Sequence, residues 1–176
     1  VVAIAVFRAG QRWRATGLGL KWPNDLVADG RKVAGILTEA VGGTETLPPE
    51  YVVVGIGVNV RRPEGGFPAP LEQTAVALED LVGANCPTVG EFGTAMLAEL
   101  AYVYRTFVAD GFTDLRAEWL RANITTGGRV DVGGSSGGWS GVAETIDELG
   151  RLVVRRDDGD SLAVAAGDVT LRRPGD

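Results

Sequence analysis

The stretch LGLKWPNDLVADGRKVAGILTEA, residues 18–40, decides how this chain folds. Its Asp29-Gly30 pair is a strong short hairpin signal, because both residues tolerate the positive φ that a two-residue turn demands. The turn joins residues 18–22 and 32–41 as antiparallel strands. With Asp29 and Gly30 at its tip, Val27 faces Lys32, Asp25 faces Ala34, Pro23 faces Ile36 and Lys21 faces Thr38. The two-residue side-chain period then places Lys21, Asp25 and Lys32 on one face. Pro23 cannot donate to a ladder, so the strand is expected to be an edge or to bulge there. Two cations and a carboxylate on one side suit either a solvated edge kept soluble by its lysines or a binding site. Apolar Leu20 and Trp22 around Lys21, and Asn24-Asp25 interrupting an otherwise buried-looking run, favour the site.

Outward from the hairpin, residues 1–16 read as a helix, with Ile4, Val6, Phe7 and Trp13 among Arg8, Arg12 and Arg14 and a weak point at Gly10. YVVVGIGVNV, residues 51–60, is a β-branched strand. Pro63, Pro68 and Pro70 make the next segment a loop. Helices are expected over 71–81, 89–109 and 114–122, the second placing Phe92, Met96, Leu100, Val103, Tyr104 and Phe107 at helical spacing, as core positions. Beyond Ile124 the texture changes to glycine, valine and short alternations, a small antiparallel β module with turns at 133–138, 148–150 and 157–160. The chain thus divides into residues 1–124 and 125–176. GGSSGGWSG lacks the lysine and hydroxyl of a phosphate loop. GIGVNV carries Val60 where a dinucleotide fingerprint needs its third glycine, and a proline-rich loop follows instead of a helix, which excludes a Rossmann reading.

Composition narrows the chemistry. A chain of 176 residues with 45% hydrophobic and 23% charged content can build one substantial core and a small second unit. It has no histidine and a single cysteine, Cys86, which excludes a disulfide framework, a multi-thiolate metal site and the commonest general base. Cys86 reads as an ordinary loop or core thiol. A net charge of -6 without a long basic block argues against a nucleic-acid surface on this chain. No apolar run reaches membrane-spanning length, and a reduced cytoplasm is the natural compartment. VVAIAVFRAG has neither a cationic lead nor an initiating methionine, so it reads as a chain cut within a domain rather than as a signal peptide.

KWPND at 21–25, GRKVAGILTEA at 30–40 and VVVGIGVNV at 52–60 resemble, in order and spacing, the catalytic domain of biotin protein ligases. The tail GRVDV...GVAETIDELGRLVV...GDVTLRR looks like the SH3-like C-terminal domain of the same family. The resemblance implies an α+β fold: part of a mixed sheet with helices, like that of class II aminoacyl-tRNA synthetases, over residues 1–124, and a small SH3-like barrel over 125–176. It implies ATP-dependent conversion of biotin to biotinyl-5'-adenylate, with magnesium carried by the nucleotide, and transfer to a lysine of a biotin carboxyl carrier domain. Lys32 would contact the biotin carboxylate and the developing adenylate, with Lys21 near the phosphates. Gly35, Leu37, Gly55 and Val58 would line the biotin pocket. Asn24 and Asn59 would use their amides on the adenine edge, and Asp25 would orient its neighbours or approach the metal-nucleotide. No protein metal site is expected, and a homodimer is left open.

The residue types suit that chemistry. Attack of a carboxylate on an α-phosphate brings two anions together, so fixed cations are the main requirement and no histidine is needed. Lysine is a compact charge on a flexible stem, an amide offers both donor and acceptor, and strand glycines let a flat ligand approach the backbone. The family's glycine- and arginine-rich loop lies upstream of KWPND and outside this chain. Little or no ligase activity is therefore expected from these residues alone, with apolar edges left at Ile36, Leu37 and Val54 that favour self-association. A lipoate ligase is the nearest enzymatic alternative. A binding or oligomerisation module that has lost the chemistry is the alternative from another class, and whether a DNA-binding repressor domain precedes the chain is open.

Overall fold

The computed structural model describes residues 1–44, 47–133, 138–165 and 169–171. Its first sheet is antiparallel and runs β1-β2-β3-β4, from Leu18–Lys21, Asp25–Ala28, Arg31–Val41 and Tyr51–Val58. KWPND does not continue one long strand, as the sequence suggested. It is itself a turn, with a cis Trp22–Pro23 peptide, that folds β1 back along β2. Lys21 therefore pairs with Asp25 instead of Thr38. The Asp29-Gly30 turn is where it was expected, with φ of 49° and 73°. Val27 faces Lys32 as expected, but a bulge between Leu26 and Val27 shifts the rest, so Asp25 faces Gly35 rather than Ala34. Pro23 leaves the ladder, and Ile36 N–H donates to the Asn24 carbonyl at 3.0 Å.

The opposite face of this sheet is the core. Leu20, Leu26 and Ala34 form a buried cross-strand row against α1 (Val2–Arg12), which buries Ile4, Ala5, Val6, Phe7 and Ala9. Gly10 permits that approach: a Cβ there would stand 2.7 Å from Leu18 Cδ1. Two further helices, α3 (Val89–Asp110) and α4 (Thr113–Ala122), pack beside α1, and α3 opens on a reciprocal Thr88/Glu91 cap. Arg8 on α1 donates two hydrogen bonds to Glu118 on α4, at 2.7 and 2.6 Å, and so fixes their spacing.

The helix expected over 71–81 shrinks to α2, Leu78–Val82. Residues before it are drawn to the sheet instead: Lys32 N–H donates to the Thr74 carbonyl at 2.7 Å, and Val76 N–H to the Lys32 carbonyl at 3.0 Å. Pairing with β3 overrides the local helical preference. Ile36 also departs from expectation, being 7% exposed, while Leu37 at 60% and Val54 at 38% do lie open.

The second sheet is antiparallel with order β8-β7-β6-β5-β9, from Arg129–Val132, Trp139–Ile146, Leu152–Arg156, Ser161–Val164 and Val169–Leu171 in chain order. Val130, Ala143, Ile146, Leu152 and Val154 fill its core. The expected turns at 148–150 and 157–160 are present, whereas most of the expected turn at 133–138 lies outside the described residues. The first of these turns is organised by Asp147, whose carboxylate accepts from the amides of Leu149 and Arg151, both at 2.9 Å, and from Arg151 Nε at 2.6 Å.

Desolvation pushes the Asp147 carboxyl upward, but these hydrogen bonds and the Arg151 charge together outweigh it and hold the carboxyl below its ordinary value of 3.8. A lowered folded value means the contribution of the turn is complete above 3.8 and is lost as pH falls through the folded value beneath it. The amide protons of Leu149 and Arg151, followed by NMR from neutral pH downward, are expected to titrate below 3.8, and a midpoint at or above it would contradict this account.

Candidate functional site

Residues opposite each other in an antiparallel ladder share a face, and the observed registers chain four of them together. Lys21 opposes Asp25, Asp25 opposes Gly35, and Gly35 opposes Gly57. One row across all four strands thus carries a cation, a carboxylate and two glycines. Leu37 and Gly55 form the neighbouring row on that face. Lys32 enters from beyond the bulge, and its Nζ lies 2.5 Å from Asp25 Oδ1. That carboxylate oxygen is sealed from solvent yet makes no hydrogen bond, so the two groups are paired by charge and distance without hydrogen-bond alignment. The Lys32 side chain is half exposed and Asp25 largely buried, which leaves the ammonium accessible on a fixed anionic base.

Gly35 makes that reach possible. A Cβ at this position would stand 2.7 Å from Lys32 Cε and 2.8 Å from its Nζ, so the lysine crosses the strand through the space a side chain would fill. Gly55 and Gly57 differ. A Cβ at Gly55 would come no nearer than 3.8 Å to Leu37, and one at Gly57 would lie 3.9 Å from the Gly35 carbonyl, ordinary contacts in both cases. Packing does not require glycine at these two positions, and the face there is flat and open.

The remaining predicted residues are placed differently. Asn24 Nδ2 donates to the Ile36 carbonyl at 2.7 Å and fastens the KWPND turn to β3. Asn59 Nδ2 donates to the carbonyls of Lys32 at 3.2 Å and Val76 at 3.5 Å, joining the end of β4 to the bulge and to the segment before α2. Asn59 spends its donors on backbone, and Asn24 spends one of its two N–H groups there. Val58 opposes Ala34 and so belongs to the core-facing row, away from Gly55 and Leu37. Sequence reasoning passed over two features. Gly57 sits in the central row, a placement only the β3–β4 register reveals. A groove of about 820 Å³ opens beside the turn, lined by Trp22, Pro23, Leu37, Phe112, Trp119 and Leu149 and not by either lysine. It gathers residues more than a hundred positions apart, and no local motif announces it. Cys86 is partly buried in a loop, and burial pushes its thiol up, so it is not an activated nucleophile. Among the described residues no group of three or more acidic, cysteine or histidine side chains could hold a metal, and no helix is long and apolar enough to cross a membrane.

Residues 4–59, which hold most of α1, the row and the first sheet, match the model of the Biotin/lipoate A/B protein ligase family. Within it the likeness is to biotin protein ligases and extends over nearly the whole chain. The chain is 35% identical over 159 residues to the biotin--[acetyl-CoA-carboxylase] ligase of Mycobacterium tuberculosis, covering 88% of this chain and 53% of that protein. It is 28% identical over 159 residues to the bifunctional ligase/repressor BirA of Bacillus subtilis, covering 90% of this chain and 48% of that protein. Its fold matches that of the biotin protein ligase from Aquifex aeolicus in complex with biotin and ATP, with a TM-score of 0.82, 24% identity, and coverage of 99% of this chain and 70% of that one. The chain spans about half the length of these curated relatives.

Gly35→Ala is expected to displace the flexible end of Lys32 while costing less than about 1 kcal/mol of stability, because no backbone atom stands in the way. Urea denaturation and a crystal structure of the variant check this. An unmoved Lys32–Asp25 pair, or a stability loss of several kcal/mol, would contradict it.

Proposed function

We propose that this chain forms part of an ATP-dependent biotin protein ligase, and that the Lys21–Asp25–Gly35–Gly57 row with Lys32 reaching onto it is its share of the active face. In the first step an oxygen of the biotin carboxylate attacks the α-phosphorus of ATP, the bond to the bridging oxygen breaks, and pyrophosphate leaves with that electron pair. In the second, the neutral amine of a carrier-domain lysine attacks the acyl carbon, the acyl C–O bond to the phosphate breaks with its electron pair leaving on AMP, and the amine gives up one proton to solvent as the amide forms. Both steps gather negative charge, and fixed cations in a partly desolvated site stabilise it at no reorganisation cost. Lys32 contacts the biotin carboxylate and the developing adenylate. Lys21, in the same row, neutralises phosphate charge, and Asp25 holds the Lys32 ammonium in place.

The flat strip of Gly35, Gly55 and Gly57 with exposed Leu37 suits an apolar bicyclic ligand lying against the backbone. Val58 supports that strip from the core side. Because the Asn59 donors are engaged, its contact to the adenine edge would run through its carbonyl oxygen, whereas Asn24 would offer its second N–H as well as its oxygen. Magnesium supplies charge neutralisation when it arrives with ATP. Such a nucleotide-borne ion needs few protein ligands. Residues 125–176 act as an SH3-like module, the acceptor is the biotin carboxyl carrier domain of a carboxylase, and the compartment is the cytoplasm. The names of the relatives favour biotin over lipoate.

In a protein of the relatives' full length, Lys32→Ala is expected to lower biotin-dependent ATP–pyrophosphate exchange by about a hundredfold to a thousandfold, the usual effect of losing one charge-stabilising group. Binding of a non-hydrolysable biotinyl-adenylate analogue, followed by calorimetry, should fall much less. Exchange within a few-fold of the parent would overturn the assignment.

A further inference from the structure

Trp22 stands next to Lys21 in the KWPND turn, is only 4% exposed, and is gripped from two points far along the chain. Its backbone N–H donates to Thr125 Oγ1 at 2.9 Å, and its indole Nε1–H donates to the Gly150 carbonyl at 3.0 Å. Thr125 is fully buried, and its own amide is held by Asn123 Oδ1 at 2.7 Å. Between these anchors Ile124 N–H donates to the Leu20 carbonyl at 3.0 Å, so residues 123–125 close the β1 edge. The Gly150 carbonyl belongs to the turn that Asp147 organises, and Arg116 on α4 ties the base of that turn down by donating to the Ile146 carbonyl at 2.7 Å. Lys21 therefore has its preceding residue fixed through the backbone and its following residue fixed through backbone and side chain, all from residues 116 and beyond.

We propose that the C-terminal β module is a positioning element for the active face: Thr125 and the turn at Gly150, acting through Trp22, set where Lys21 and Asp25 stand. Its bearing on catalysis rests on the ligase reading above, but the coupling is a property of this chain alone. Hydrogen bonds in a packed, fully satisfied network transmit displacement because neither donor has an alternative partner in the interior. A Trp22 released from Thr125 would leave a buried amide unpaired, and the turn would shift to recover it.

The test uses an accident of composition: Lys21 and Lys32 are the only two lysines in the sequence. Amine-selective acetylation at limiting reagent, read by peptide mass spectrometry, therefore reports on the active face without any turnover. Thr125→Val removes the accepting hydroxyl with little change of shape. It is expected to change the acetylation rate of Lys21 by at least about twofold, the smallest coupling expected within one hydrogen-bonded network, and Thr125→Ser is expected to restore it. Asp147→Asn, at a surface turn, is the second variant should Thr125→Val fail to fold, and it is expected to shift the same rate in the same direction. Val103→Ala, buried on α3 away from the turn, controls for general loosening and should leave the ratio of the two lysine rates unchanged. An unchanged Lys21 rate in Thr125→Val with faster hydrogen exchange at the Trp22 amide, or in Asp147→Asn with faster exchange at the Trp22 indole N–H, would overturn the proposal. So would an equal change in Val103→Ala. A missing ligase activity in a protein of the relatives' full length would instead sink the functional reading and leave the lysine rates to be judged on their own.

Discussion

Everything on the proposed active face follows from one reversal of direction at Trp22, Pro23 and Asn24. By folding β1 back on β2 within three residues, the turn brings Lys21 opposite Asp25. Had the strand run on, Lys21 would have extended along β3 toward Thr38, three residues beyond the Gly35 row it now joins and further from the bulge that launches Lys32. The turn is held by the Asn24 side chain on one side and by Thr125 and Gly150 on the other, so that its geometry is a consensus of three parts of the chain. That distribution of anchors explains why a short loop can carry charged groups without fraying.

The two faces of the first sheet answer opposite demands. The row Leu20, Leu26 and Ala34 is almost wholly buried against α1, and apolar burial of this kind supplies the main driving force for the fold. One position along, the row Lys21, Asp25, Gly35 and Gly57 has traded packing for charge and empty space. Glycine in a strand weakens it, and Gly55 and Gly57 have no packing reason to be there. A face that gives up stability in this way is where function is most economically sought. Beyond the core, the outer halves of β3 and β4 expose Val41, Tyr51, Val52, Val53 and Val54, so burial of the sheet ends well short of the ends of its strands.

Legibility in the sequence varied with the range of the interaction. The Asp29-Gly30 turn, the strand at Tyr51–Val58 and the helices at Val89–Asp110 and Thr113–Ala122 were all readable, because turn chemistry and periodicity act over a few residues. The grouping of Lys21, Asp25 and Lys32 was readable too, although by a route the structure corrects. A single uninterrupted hairpin gives the same face as two hairpins and a bulge, since each change of register left parity at these residues intact. Val58 was misassigned because its partner, Ala34, belongs to the buried row, and the short helix at Leu78–Val82 was overextended because Lys32 captures the segment before it.

By itself, then, the sequence determined the alternation of apolar and polar positions, the turn at Asp29-Gly30 and the stock of charged, amide and glycine residues from which a site could be made. Tertiary structure alone decided that Lys32 would cross Gly35 to Asp25, that Asn24 and Asn59 would commit side-chain N–H groups to backbone carbonyls, and that Trp22 would be held by Thr125 and Gly150. The division has a physical cause. Local preferences are fixed by the sterics and hydrogen bonding of neighbouring residues, whereas the end point of a long side chain and the partner of a buried amide are set by whatever distant segment packs within reach.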